Sequence, residues 1–289
     1  MRTIRTPQVT FQAIEAGSGP LVLCLHGFPD QATSFRHQLP ALAAAGFHAV
    51  APNMRGYAPT SAPADGRYDA MALGEDVVAL IEALGDEDAV VFGHDWGAVA
   101  VYFAALIAPH RIRKLVTAAV PYGPQFFRAL ASDYTQQRRS WYMFFFQQAL
   151  ADSALSHDDF AMIDRLYADW SPGWAWPAAD REAVKSTFRQ PGTVAAALGY
   201  YRATMGPAFA DPGFLEANAT AMGAPIQVPG LMLHGANDGC IGAELVPPMR
   251  ELFPRGLQVE IVPTAGHFLH QERPDEVNRL VLEFLRGQR

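Results

Sequence analysis

The segment Gly93-His94-Asp95-Trp96-Gly97 places a carboxylate between two glycines, directly after the apolar run Ala89-Val90-Val91-Phe92. Glycines at this spacing permit the sharp turn that lifts a nucleophile above the end of a strand. Serine usually sits at the centre of such a turn; here the residue is Asp95. Aspartate is also a good helix N-cap, so the segment by itself is compatible with a cap. Three further segments favour the nucleophile. His26-Gly27-Phe28-Pro29 ends an earlier apolar run. In that position the backbone N–H of Phe28, together with that of Trp96, would form an oxyanion hole, with His26 and Pro29 supporting the turn. Asp238 follows the run Leu231-Met232-Leu233-His234, and His267 follows Leu257 to Val262. The order nucleophile, acid, histidine is that of a hydrolytic triad with each member on a loop after a strand. The chain has nine histidines, so His267 draws its weight from this shared placement. His270 is the weaker choice and is expected to support the turn, and Glu244 is the fallback acid.

The carboxylate narrows the chemistry. A serine that attacked a saturated carbon would form an ether, which the site could not hydrolyse. A carboxylate forms an ester, which water can cleave. Asp95 therefore points to alkylation followed by hydrolysis, with His267, oriented by Asp238, activating the water. Ordinary esterase action is disfavoured.

Positioning these loops requires strands that end side by side. Leu21 to Leu25, Phe47 to Ala51, Ala89 to Gly93 and Leu115 to Val120 read as buried strands. Helical spacing of Val77, Leu80, Ile81 and Leu84 predicts a helix over Met71–Leu84, and a small-residue helix is expected over Gly97–Ala108. Alternating strands and helices predict a parallel, doubly wound sheet. From about Tyr122 the chain turns helical and aromatic, and the strand–helix alternation resumes after Pro225. The expected division is a core of residues 1–121 and 225–289 interrupted by a helical cap over 122–224. Helices are predicted near Ala243–Phe253 and from Pro274, the latter with its buried stripe on Val277, Leu280, Val281, Phe284 and Leu285.

Through these motifs the chain resembles the α/β-hydrolase-fold epoxide hydrolases and the related haloalkane and fluoroacetate dehalogenases. The core resemblance covers Phe11 to Val120 and Pro225 to the C-terminus. It implies an α/β-hydrolase fold with an inserted helical lid, and a small hydrophobic epoxide and water as substrates. Epoxide opening creates an alkoxide, which a phenol can protonate. In that family two lid tyrosines do so, one five residues before a glutamine and one immediately before an arginine. Tyr142, ahead of Gln147, and Tyr201, ahead of Arg202, match those positions. Tyr200 is the neighbouring alternative. Trp96 stands where fluoroacetate dehalogenases resemble each other in carrying arginine, and Phe28 where many haloalkane dehalogenases carry asparagine. These departures favour epoxides over halides. A silent, ligand-binding member of the fold is disfavoured because all three triad positions are filled. The turn Asn53-Met54-Arg55-Gly56-Tyr57 is read as structural. Trp141 and Phe145, with Phe144 and Trp170 to Trp176, are expected to line an apolar substrate cavity.

Composition sets the remaining limits. Half of the 289 residues are hydrophobic and the formal charge is −7, which disfavours nucleic acid and anionic lipid as partners. Cys24 and Cys240, each in an apolar stretch, read as buried free thiols of a reducing compartment. With no membrane-length apolar run and no signal-like N-terminus, a cytoplasmic location is expected, without metal or organic cofactor.

Overall fold

Five of the strands in the computed structural model, which describes residues 1–210, 213 and 222–287, are the apolar runs of the sequence. The strands are β1 (Arg2–Arg5), β2 (Thr10–Ala16), β3 (Leu21–Leu25), β4 (His48–Pro52), β5 (Ala89–His94), β6 (Ile112–Ala118), β7 (Gly230–Gly235) and β8 (Leu257–Val262). They form one sheet in the order β1-β2-β4-β3-β5-β6-β7-β8. β3, β5 and β7 are buried at every position. Helices cover both faces of these strands, so they need no polar side and read as unbroken hydrophobic runs. β3 to β8 pair in parallel, whereas β1 and β2 pair antiparallel at one edge. That edge lies outside the strands expected from the sequence, because its strands are short or only half buried and carry no continuous apolar run.

One face of the sheet packs against α2 (Ala70–Leu84) and α3 (Trp96–Ile107), burying Leu73, Val77, Leu80, Ala100 and Val101. The other packs against α1 (Gln38–Ala44) and the closing helix Pro274–Arg286, burying Leu39, Leu42, Val277 and Val281. Asp69 caps α2 by accepting a hydrogen bond from the Ala72 N–H at 3.0 Å, and Gly85, at φ 84°, ends it. Leu285, expected in the closing stripe, is only partly buried.

Between β6 and β7 all the regular structure among the described residues is helical. It comprises α4 (Gln125–Ser132), α5 (Tyr134–Arg139), α6 (Trp141–Phe145), α7 (Leu150–Trp170), α8 (Ala178–Phe188), α9 (Thr193–Thr204) and α10 (Gly206–Ala210). Residues 211, 212 and 214–221 of the expected cap lie outside the described residues. The helix predicted near Ala243–Phe253 is instead two 3₁₀ segments, Ala243–Leu245 and Pro247–Leu252. Pro247 and Pro248 have no N–H to donate to an α-helical ladder. No described helix is long and apolar enough to cross a membrane.

Candidate active site

In register, Leu25 lies beside Gly93, His94 beside Ala118, Ala118 beside Leu233, and Gly235 beside Val262. The loops after β3, β5, β7 and β8 therefore open at one edge of the sheet, the carboxyl ends, where ligands of such sheets bind. Asp95 sits at the β5–α3 junction with φ 53° and ψ −119°, a conformation costing about 1–3 kcal/mol that surrounding structure must hold. Its side chain makes no capping bond to α3, which removes the helix-cap reading. Close packing makes the turn possible. A Cβ on Gly93 would stand 2.1 Å from the Gly97 carbonyl oxygen, and one on Gly97 would stand 2.0 Å from that of Leu25.

Asp95 Oδ1 accepts the Phe28 N–H at 2.7 Å. A Cβ on Gly27 would lie 2.2 Å from that same oxygen and 2.6 Å from Trp96 N, so glycine is what lets this loop reach the elbow. His26 supports the loop as expected: its Nε2 accepts the Met54 N–H at 2.9 Å, and its Nδ1 lies 2.9 Å from the Gly27 carbonyl. The Asn53–Tyr57 turn is accordingly structural, with Asn53 Oδ1 accepting the Ala32 N–H at 2.8 Å.

His267 Nδ1 is 2.9 Å from Asp238 Oδ2, and its Nε2 is 3.5 Å from Asp95 Oδ2 without forming a hydrogen bond. Asp238 Oδ1 accepts the N–H groups of Cys240 and Ile241 at 2.7 and 2.9 Å, which fixes the carboxylate. His94 Nε2 lies 2.9 Å from the His267 carbonyl and ties the elbow to the last loop. All three members of the proposed triad are buried. Burial by itself would raise both carboxyls, but His267 more than offsets it and holds Asp95 and Asp238 below the ordinary range. Burial would lower His267, yet the carboxylates of Asp238 and Asp95 lift it well above a free imidazole. His270 is buried beside His94, ring centroids 4.4 Å apart, and burial holds it well below its ordinary value; it packs behind the site. Glu244, the fallback acid, pairs with Arg139 at 3.0 Å, and it is Asp238 that faces His267 Nδ1.

Tyr142 and Tyr201 are both buried, with ring centroids 5.7 Å apart. The Tyr201 ring packs edge-on to Phe28 and Trp96, and its hydroxyl has no hydrogen-bond partner among the described residues. The Tyr142 hydroxyl is hydrogen-bonded to Cys240 Sγ at 3.2 Å. Burial raises both phenols well above 10, with the Asp95 charge adding to the effect, so they stay protonated donors. Tyr200 instead donates to the Arg55 carbonyl at 2.9 Å, which excludes it as the alternative to Tyr201. Cys24 and Cys240 are free and buried, as expected. Asp238, Cys240 and His267 offer donor atoms within 4.8 Å of one another, the only such group among the described residues. Those side chains already bond to each other and to Tyr142.

A cavity of about 360 Å³ starts at Asp95, Trp96 and Tyr201. Its walls are Val99, Phe103 and Leu106 of α3, Phe126 and Phe127 of α4, and Met143 and Met205. The aromatics expected to line it lie elsewhere. Trp141 is 44% exposed, and Phe145 packs 5.9 Å from it on the outer side of α6. Phe144 stacks on Phe209 at 4.3 Å, and Trp176 stacks on Tyr167 at 3.4 Å. Only one face of α6 can look inward, and Tyr142 and Met143 occupy it. The stripe Trp96, Val99, Phe103, Leu106 has helical spacing in the sequence and was the available sign of the real wall.

Residues 20–274 match the alpha/beta hydrolase fold family. Epoxide hydrolase A of Mycobacterium tuberculosis is 33% identical, with 99% of this chain and 97% of that one aligned. An epoxide hydrolase of Caballeronia sordidicola is 34% identical, covering 98% of this chain and 92% of the relative. The crystal structure of Bacillus megaterium epoxide hydrolase with an inhibitor superposes with a TM-score of 0.86 at 28% identity, over 99% of this chain and 100% of that one. Strand order, the elbow at Asp95 and these similarities agree: the chain belongs to the α/β-hydrolase fold family and, within it, to the epoxide hydrolases.

Proposed function

We propose that this protein hydrolyses epoxides to vicinal diols through an ester on Asp95. The observation that carries the reading is a pair of buried, protonated phenols, Tyr142 and Tyr201, beside a buried aspartate whose one oxygen is already held. Oδ1 rests on the Phe28 N–H, so Oδ2 is the oxygen free to attack an epoxide carbon. The carbon–oxygen bond of the ring breaks, and the departing alkoxide takes a phenol proton. Oδ1 then becomes the carbonyl oxygen of the ester and already accepts the Phe28 N–H, one of the two donors of the proposed oxyanion hole, with Trp96 N–H as the other.

Forming the ester removes the charge of Asp95, one of the groups that lift His267. The imidazolium's affinity for its proton then falls, and that proton returns to the phenolate; the neutral imidazole then accepts a proton from water as that water attacks the ester carbonyl carbon. Collapse of the tetrahedral intermediate expels the second diol oxygen, which takes the proton from His267, and the carboxylic acid left on Asp95 returns its proton to His267, restoring the ion pair. The site thus switches His267 from ion-pair partner to base at the step that needs a base. A neutral cavity wall suits an uncharged substrate.

The test uses styrene oxide and a bromoalkane. Wild-type protein should give diol from the epoxide. His267→Gln should accumulate an adduct on the peptide bearing Asp95, seen by mass spectrometry as an increase equal to the epoxide. Replacing Tyr142 and Tyr201 together by phenylalanine should lower the alkylation rate by roughly a thousandfold or more. Halide release from the bromoalkane with no diol from the epoxide would overturn the epoxide reading in favour of dehalogenation.

A further inference from the structure

One wall of the cavity that holds Asp95 runs along α3. Trp96, Val99, Phe103 and Leu106 fall on a single face of α3, and the ten steps from the first to the last make a stripe about 15 Å long at 1.5 Å per residue. Exposure rises along it. Asp95, Trp96 and Tyr201 are buried, whereas Val99, Phe103 and Leu106 are partly exposed. Met71, which also lines the cavity, is 40% exposed. The reactive end is therefore closed and the far end reaches solvent.

The other neighbours of the site close it. Phe28 packs edge-on against Phe146 at 5.4 Å and Phe188 at 5.9 Å, and Trp170 packs against His267 at 5.2 Å. These aromatic rings are fully buried, and among the described residues none from α7 or α8 lines the cavity. An epoxide with a long substituent on both ring carbons would have to drive one of them into this wall. Well-packed interiors resist such insertion strongly. No described lysine or arginine lines the cavity, so an arm carrying a carboxylate would lose its hydration without gaining a partner.

We infer that the site selects terminal epoxides bearing one long, uncharged apolar arm, which lies along the α3 stripe. Internal epoxides with two long arms are excluded. The arm that fits is on the order of ten carbons, the length of the stripe. This rests on the epoxide reading above and goes further, because that reading sets the reacting group and not what is attached to it.

The experiment compares three uncharged epoxides by diol formation: the oxide of terminal decene, the oxide of the mid-chain trans decene, and the oxide of terminal butene. The two decene oxides have the same composition and differ only in the number of arms. The terminal one should exceed the mid-chain one in kcat/KM by at least roughly a hundredfold. Along the terminal series kcat/KM should rise about fourfold per added methylene until the arm outgrows the stripe. Leu106→Trp, which narrows the far end, should lower the ratio of terminal decene oxide to terminal butene oxide. Equal rates on the two decene oxides would overturn the one-arm inference and leave epoxide hydrolysis standing. An unchanged chain-length ratio in Leu106→Trp would overturn the placement of the arm along α3. Absence of diol from all three epoxides would overturn both the function and this inference.

Discussion

Two side chains at the site depend on contacts that their own residue types do not announce. Asp95 adopts a conformation that most residues avoid, and Phe28, Gly27 and the tight Gly93–Gly97 turn hold it there. Cys240 is two residues beyond Asp238, and its thiol is a polar partner of the Tyr142 hydroxyl. Burial raises that thiol, so it stays protonated and neutral beside the phenol. Cys240→Ala should leave Tyr142 without this hydrogen bond and lower the alkylation rate about fivefold, the usual effect of one hydrogen bond of about 1 kcal/mol. Cys240→Ser should restore most of the rate, since a hydroxyl can replace the thiol. Rapid-quench measurement separates alkylation from ester hydrolysis. A loss confined to hydrolysis would show that Cys240 acts on His267 and not through Tyr142.

The element that braces the site from beneath is the turn after β4. Arg55 is only 1% exposed and clamps Asp76 of α2 through Nε at 2.6 Å and Nη2 at 2.7 Å. Its Nη2 also donates to the Ala72 carbonyl, and its own carbonyl accepts from Tyr200 of α9. One residue thus joins β4, α2 and α9. Removing one partner of a buried pair strands the other charge. Arg55→Met should therefore destabilise the protein by about 3–5 kcal/mol. The double change Arg55→Met with Asp76→Leu should recover most of that, because neither charge then remains buried. Urea denaturation of the three proteins checks this. A loss in the single variant that the double variant does not recover would assign the cost to Arg55's backbone contacts.

Across the whole molecule, buried acids link stability to pH. Asp30, in the loop after β3, accepts the Gln31 N–H at 2.8 Å and Gln271 Nε2 at 2.6 Å, joining that loop to the segment after His267. Burial pushes its carboxyl up to about 7, from an ordinary 3.8. A carboxyl raised on folding keeps its proton longer in the native state, so its contribution to stability is greatest in acid. That contribution falls as pH rises from about 4 to about 7, by on the order of 4 kcal/mol at most. Asp30→Asn cannot ionise and should flatten this part of the profile, raising stability at pH 8 relative to pH 5 compared with wild type. Thermal unfolding at the two pH values checks it, and an equal slope in both proteins would remove Asp30 as the cause.

The sequence by itself carried the buried strands, the Asp95 elbow and the loops that bear Asp238 and His267. Each is written locally, as an apolar run closed by glycine or a polar turn, and strand ends in a parallel sheet necessarily share one edge. It also carried Tyr142 and Tyr201, through their neighbours Gln147 and Arg202. Tertiary structure alone decided which aromatics face the cavity. Trp141 and Phe145 look like pocket residues in the sequence, but helix rotation turns them outward and brings Met143 in beside Phe126 and Phe127. The Cys240–Tyr142 contact and the Arg55–Asp76 clamp join residues 98 and 21 positions apart. Neither has a spacing rule, because both arise where separate elements meet.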